Sequence, residues 1–387
     1  MSFRRTLLFS ILVFFAIAAA FASGYLTHAA LHPASPFPLL EEAYDLLRSH
    51  GLYDLPPAPA LEYGAVRGMV QAYGDPYTLF VEPPQNELQN NELNGAFGGA
   101  GLTLETTLDG RVVIHPIPGA PAEAAGLQDG DVLTAVDTLN ITPDTPLENV
   151  QAALRGPEGS LVRLTVQRPP AWTTLEVSLR RAVFDLPSVT WHADGDEPRL
   201  GVVVVHRMAA TTADEIRAAV AALAERGAAH IALDLRGNGG GLLDSGIASA
   251  RLFLSGGEII RQQYRGQPVE TVSVKEPGPL LATPLVVLVD GGTASAAELV
   301  AGALQAHGRA PLIGLPTYGK DTLQLLLPLS DGSSLHVTAA RWWVPGLEHP
   351  IGEGGLQPDI PVEADEAHPK AWLRAAAAYF FPSEDTP

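Results

Sequence analysis

Leu285-Val286-Val287-Leu288-Val289-Asp290-Gly291-Gly292-Thr293-Ala294-Ser295-Ala296-Ala297-Glu298-Leu299 decides the fold class. Five consecutive apolar residues, Leu285 to Val289, suit a strand buried on both faces, because they lack the polar alternation of a half-solvated one. Gly291-Gly292 supplies a sharp turn, and the run through Gln305 has helical spacing. Leu200 to Val205 and Ile231 to Leu235 are equally short and apolar, and a helical run follows each. The first of these runs spans Thr212 to Arg226, with Thr212 or Asp214 as its cap. Strands alternating with helices predict an α/β core.

Outward from this core the pattern changes. From Phe97 to Leu179 short strands alternate with turns: Gly101 to Leu104 and Arg111 to Ile114 are joined by an Asp109-Gly110 hairpin turn. Pro121 to Leu127 reads as one helical turn closed by Gly126, and Val132 to Val136 and Leu161 to Val166 as further strands. Earlier in the chain, Leu39 to Leu47 and Leu61 to Tyr73 have helical spacing, and the polar stretch Gln85 to Asn94 reads as a linker or lid. A last helix is expected over Lys370 to Phe381, before a frayed tail. There is no internal repeat.

A length of 387 residues allows two or three domains, and 46% hydrophobic with 17% charged residues is a globular composition. The net charge of −19 argues against a nucleic-acid partner and against attraction to anionic lipid. The absence of cysteine excludes disulfides, thiolate zinc sites and a cysteine nucleophile. Arg4 and Arg5 precede the apolar run Leu7 to Ala22, and small residues end it, as in an export signal. Both a cleaved signal and a retained anchor fit, and in either case the rest of the chain is expected outside the cytoplasm.

Ser295 sits where strand, glycine turn and helix meet, a setting that lifts a hydroxyl into a cleft beside free helical N–H groups. The same Ser295-x-x-Glu298 spacing is also a capping box, and Gly-x-Ser-x-Gly is absent. Lysine usage adds a second signal. The chain has three lysines, Lys275, Lys320 and Lys370, against 21 arginines. Lys320 follows Gly319 in an apolar neighbourhood, and only lysine of the two cations can lose its proton when desolvated. A base working near neutrality needs its pKa lowered by about 3 from about 10.4, or about 4 kcal/mol, which burial can supply. The alternative is a lysine that snorkels from a strand end. Lys320 and Gln324 share a face in strand or helix, whereas Asp321 would lie on the opposite face of a strand.

Leu233-Asp234-Leu235-Arg236-Gly237-Asn238-Gly239-Gly240-Gly241-Leu242 runs from a buried strand into a glycine cluster. Such a loop brings N–H groups close to an oxyanion, each donor worth about 3 kcal/mol, or is an ordinary turn. A nucleotide loop is disfavoured, since the Walker Lys-Ser/Thr is missing. His192, His206, His230, His307, His336 and His349 offer a competing Ser-His arrangement, but no local pattern selects one. No spacing supports a metal site.

Together these pieces resemble the C-terminal processing peptidases, or tail-specific proteases, of the S41 serine-peptidase family. Residues 294–296, Gly319-Lys320 and Gln324 match its Ser, Lys and Gln in order and spacing. Residues 233–241 look like its oxyanion loop, and residues 352–361 and 74–78 like its closing and N-terminal signatures. Residues 97–182 are similar to its PDZ domain, with residues 98–102 as the carboxylate-binding loop. Asp321, Ala297 and Ala100 depart from the usual pattern, the first bearing on the pKa of the lysine.

The resemblance implies an α/β peptidase core over 183–363 with an inserted β-rich PDZ domain over 96–182. It also implies a signal or anchor over 1–23, an N-terminal helical segment and linker over 33–95, and a C-terminal helix and tail over 364–387. Ser295 would be the nucleophile, Lys320 the general base and Gln324 its orienter. The N–H of Ala296 and of Gly240 or Gly241 would hold the oxyanion. Gly99, Ala100, Gly101 and Leu102 would bind a peptide C-terminus, whose chain adds as a strand. No cofactor is implied; the partners are protein tails, and a homo-oligomer or adaptor stays open. The rivals are a catalytically silent PDZ scaffold and a Ser-His hydrolase.

Overall fold

The computed structural model describes residues 12–24, 37–107, 110–185, 187–363 and 371–382. The chain forms two compact units divided between Val66 and Arg67. In the first, helix Pro38–His50 starts on a proline, where the missing N–H costs nothing, and ends on Arg48 and His50 beside the negative helix end. Residues 12–24 are helical. Among the described residues no helix is long and apolar enough to cross a membrane.

The core of the second unit is a six-stranded sheet in the order Val189–Ala193, Leu200–Val205, His230–Asp234, Leu285–Val289, Leu312–Gly314, Ile360–Pro361. The first pair is antiparallel and the rest are parallel. Strand alternation explains the unbroken apolar runs. Val203, Ile231, Leu233, Leu285, Val287, Val289 and Leu312 share a core with helices Thr212–Glu225, Leu243–Arg251 and Ala296–Ala306. Leu200, Ala232, Val286, Leu288 and Ile313 point the other way, onto Ala376 of helix Ala371–Phe380. Each side chain buried this way contributes about 1.5–3 kcal/mol, so both faces must be apolar. The 233–241 loop, Ser295 and Lys320 all follow the carboxyl ends of neighbouring parallel strands, the edge where open α/β sheets hold their ligands.

A second, antiparallel sheet flanks this one. Its order is Leu79–Val81, Ser334–Trp343, Gly257–Tyr264, Glu270–Val274, and Thr322–Pro328 also pairs with Ser334–Trp343. This corrects the expected 33–95 helical segment and linker in one respect, because Leu79 to Val81 pair with His336 to Ser334 and so form a strand of this second sheet. The linker or lid expected over Gln85 to Asn94 is instead helix Pro83–Leu93. Its polar residues are anchors: Asn86 is buried, donating to the carbonyl of Gly332 and accepting from Ser334 Oγ.

The β-rich module has strands Leu102–Thr106, Val112–Pro116, Asp131–Val136, Leu161–Arg168 and Thr173–Arg180 in spatial order, with Leu139–Asn140 beside the third. Ile114, Leu133, Val150, Leu164 and Val166 centre its separate core. Asp109 of the expected hairpin turn lies outside the described residues. Strands Ala96–Gly99 and Ala182–Asp185 pair antiparallel where the chain enters and leaves, as an insertion requires. The exit strand runs three residues past the expected boundary at 182.

Candidate active site

Ser295 has φ 54 and ψ −120, a backbone state that non-glycine residues avoid at a cost of about 1–3 kcal/mol. The surroundings hold it there. Ala294 N–H donates to Asn238 O (2.9 Å) and the buried Thr293 hydroxyl to Leu235 O (2.9 Å), which ties the turn to the glycine loop. Helix Ala296–Ala306 begins at the next residue, and Ser295 itself is only half-buried.

The capping box foreseen at Ser295 and Glu298 is present, but Glu298 does more than cap. Its fully buried carboxylate accepts from Ser295 N–H (2.8 Å) and Lys320 N–H (2.9 Å) on Oε2. Oε1 takes the Thr317 hydroxyl (2.6 Å) and Gly319 N–H (2.7 Å). One oxygen atom therefore holds the backbones of the serine and the lysine side by side. Burial pushes this carboxyl up, and the four donors act against that. Sequence reading missed this role; the signal was one charged residue in an otherwise apolar helix start.

Lys320 is half-buried, and desolvation pulls its ammonium below the usual lysine range, against the opposing charges of Asp75 and Glu298. Its Nζ donates to Gln324 Oε1 at 3.0 Å. Gln324 Nε2 in turn donates to the carbonyl of Tyr77, and the Tyr77 ring lies 4.9 Å from Nζ. The concern over Asp321 is resolved by position, because its carboxylate packs on Gly352, where an added Cβ would stand 2.6 Å from Oδ2. The carboxylates acting on the lysine are Asp75 and Glu298, neither of which the sequence had singled out for this.

Of the expected oxyanion donors, Gly240 is corrected. Its N–H is already given to Asn238 Oδ1 (2.9 Å). Its place is nevertheless tight: a Cβ on Gly240 would stand 2.9 Å from Ser295 Cβ and 3.1 Å from Ala296 N, so only glycine lets the loop lie against the serine. The N–H groups of Gly241 and Ala296 donate to no group among the described residues. None of the six histidines bonds Ser295 among the described residues. His307 reaches Glu258 O, His336 reaches Ser334, His206 reaches Thr190, and His230 stacks with Phe380 and Phe381.

A sequence model of Peptidase family S41 matches residues 199–362, and one of the PDZ domain matches residues 112–168. The chain is 38% identical over 306 residues to the carboxyl-terminal-processing protease of Picosynechococcus sp., covering 78% of this chain and 73% of that protein. It is 32% identical over 347 residues to the carboxy-terminal processing protease CtpA of Bacillus subtilis, covering 89% and 73%. The chain belongs to peptidase family S41. Among solved structures, the photosystem II D1 C-terminal processing protease aligns at 31% identity, over 85% of this chain and 87% of that one, with a TM-score of 0.46.

In this S41 chain the PDZ module carries its own groove, a cavity of about 250 Å³. Residues 99–104 form one wall, which includes Gly99, Ala100, Gly101 and Leu102, and Gln151, Leu154 and Arg155 form the other. Among the described residues strand Leu102–Thr106 is an edge strand, paired only with Val112–Pro116. Arg155 is held by Glu92 of helix Pro83–Leu93 (2.8 Å). Glu298→Ala would strand four donors in the core, and a loss of about 3 kcal/mol or more is expected. Denaturant unfolding measures it, and a loss below about 1 kcal/mol would show that the carboxylate is not the clamp.

Proposed function

We propose that this S41 peptidase cleaves proteins near or from their C-terminal tails by Ser-Lys catalysis. The observation that carries the reading is the Glu298 carboxylate, which binds the N–H of Ser295 and of Lys320 on one oxygen. Ser295 attacks the scissile carbonyl. Lys320, neutral in its desolvated site, takes the hydroxyl proton and returns it to the leaving amine. Gln324 aims the lysine, and the N–H groups of Ala296 and Gly241 stabilise the oxyanion.

The PDZ groove supplies the second half of the reading. A substrate tail adds to the open edge of Leu102–Thr106, its carboxylate against the 99–102 loop. The basic, apolar N-terminus of the sequence favours an extracytoplasmic site, by secretion or by an anchor. An unfolded protein with a free C-terminus, digested beside the same protein with an amidated C-terminus, tests the reading. The free acid should be cleaved at the lower KM, by about tenfold, since a charge-assisted contact is lost on amidation. Equal KM values would remove tail recognition. Binding of the acid without cleavage of either substrate would favour the silent scaffold.

A further inference from the structure

The turn at residues 74–78 is built into the site from the far side of the lysine. Strand Leu79–Val81 pairs with one edge of Ser334–Trp343, and Thr322–Pro328 pairs with the other. At Thr338 the two meet: its N–H donates to Thr78 Oγ1 (3.2 Å), and Gln324 is its strand partner. Thr78 Oγ1 donates to Asp75 Oδ2 (2.5 Å), which closes the turn. Tyr77 is thus fixed by its neighbours on both sides. It meets both Lys320 and the glutamine bound to it, through its carbonyl on Gln324 Nε2 and through its ring beside Lys320 Nζ.

We propose that Tyr77 is the positioning residue of the catalytic lysine, its ring face steering the amine and its carbonyl locking the glutamine that aims it. This rests on the Ser-Lys reading above. An aromatic face attracts an ammonium group far more than a neutral amine. The ring therefore stabilises the protonated form, in the same sense as Asp75 and Glu298 and against burial. The other titratable groups nearby bear on the Tyr77 phenol: Tyr318 beside it raises it most, and Asp321 and Asp75 add to that more weakly. The ring thus holds Nζ in place, and it raises somewhat the pH at which the amine becomes the neutral base.

The test is a Tyr77 series read as kcat against pH. Tyr77→Leu should lower kcat about ten- to a hundredfold, as misplacement of a catalytic group does. It should also move the alkaline rise of the rate to lower pH by roughly half to one unit, because the ring no longer favours the ammonium. Tyr77→Phe keeps the ring and should restore both to near the wild-type values. A tyrosine that merely props up the fold would lose activity in Tyr77→Leu with the rise unmoved, and that result overturns the proposal. So does a Phe variant as impaired as Leu. If Tyr77→Leu does not fold, Tyr77→Trp and Tyr77→Phe decide. The stronger indole face should place the rise at higher pH than phenyl, and coincident profiles reject the role. A dead Lys320→Arg chain with unmoved Tyr77 profiles defeats this inference alone, whereas an active Lys320→Arg chain defeats the Ser-Lys reading itself.

Discussion

Ser295→Ala is expected to reduce cleavage of an unfolded protein to background, a loss of at least about 10⁴-fold in kcat, because losing the nucleophile of a serine peptidase removes nearly all of its covalent catalysis. The proposed oxyanion donors remain, since the N–H of Ala296 and of Gly241 belong to the backbone, so a trace of activity above water is consistent with the reading. The fold should stay. Alanine inherits the positive φ that serine already bears, and Glu298 still receives the N–H of residue 295. Only the hydroxyl of the capping box is lost, about 1 kcal/mol. Binding of a tail peptide to the full chain should be unchanged, because the groove is lined by residues of the PDZ module. Cleavage retained above a few per cent of wild type would remove Ser295 from the mechanism, and the Ser-His and scaffold readings would have to be weighed again.

How much of this was legible beforehand depended on whether the signal was local. The buried strands Leu200–Val205, His230–Asp234 and Leu285–Val289 announced themselves, because burial on both faces leaves no room for polar residues. Ser295, Lys320 and Gln324 were singled out by a turn, an unusual lysine and a four-residue spacing, and a hydrogen bond from Lys320 Nζ joins the last two directly. What stayed hidden was set by pairing across long stretches of chain. Leu79–Val81 is too short to show a period and becomes a strand only beside Ser334–Trp343. Asn86 reads as a solvated residue until the hairpin at Gly332 and Ser334 closes over it. Glu298 looked like a helix cap because its one partner nearby in sequence, Ser295, makes it one; its bonds to Thr317, Gly319 and Lys320 come from the connection between strands Leu312–Gly314 and Thr322–Pro328. Gly240 failed as a donor for a similar reason, since the side chain of Asn238 claims its N–H. Glycine content shows that a backbone can approach, not where its N–H will point.

Lys320→Arg separates the proposed mechanism from every rival that uses Ser295. Arginine keeps the positive charge and much of the reach, but it does not become a neutral base in this pH range. If Lys320 only anchored structure or attracted a carboxylate, the arginine chain would retain much of its rate. As the general base, Lys320→Arg and Lys320→Ala should both lose about 10²- to 10⁴-fold. The pH profile gives the sign. Desolvation holds the lysine below its ordinary range, and only the neutral amine accepts the proton. The wild-type rate should therefore be low below that depressed pKa and rise with pH through it. The carboxylates near the amine decide which substitutions move the rise. Asp75 stabilises the ammonium, so Asp75→Asn should shift the rise to lower pH. Asp321 adjoins Lys320 in sequence, but its carboxylate faces Gly352, so Asp321→Gly should leave the rise nearly where it was. Rates measured from acid to alkaline pH on the four variants and the wild type check all of this together. An arginine chain with wild-type rate and profile would end the Ser-Lys mechanism even with Ser295 essential, because a group that cannot give up its proton cannot have been taking one from the serine.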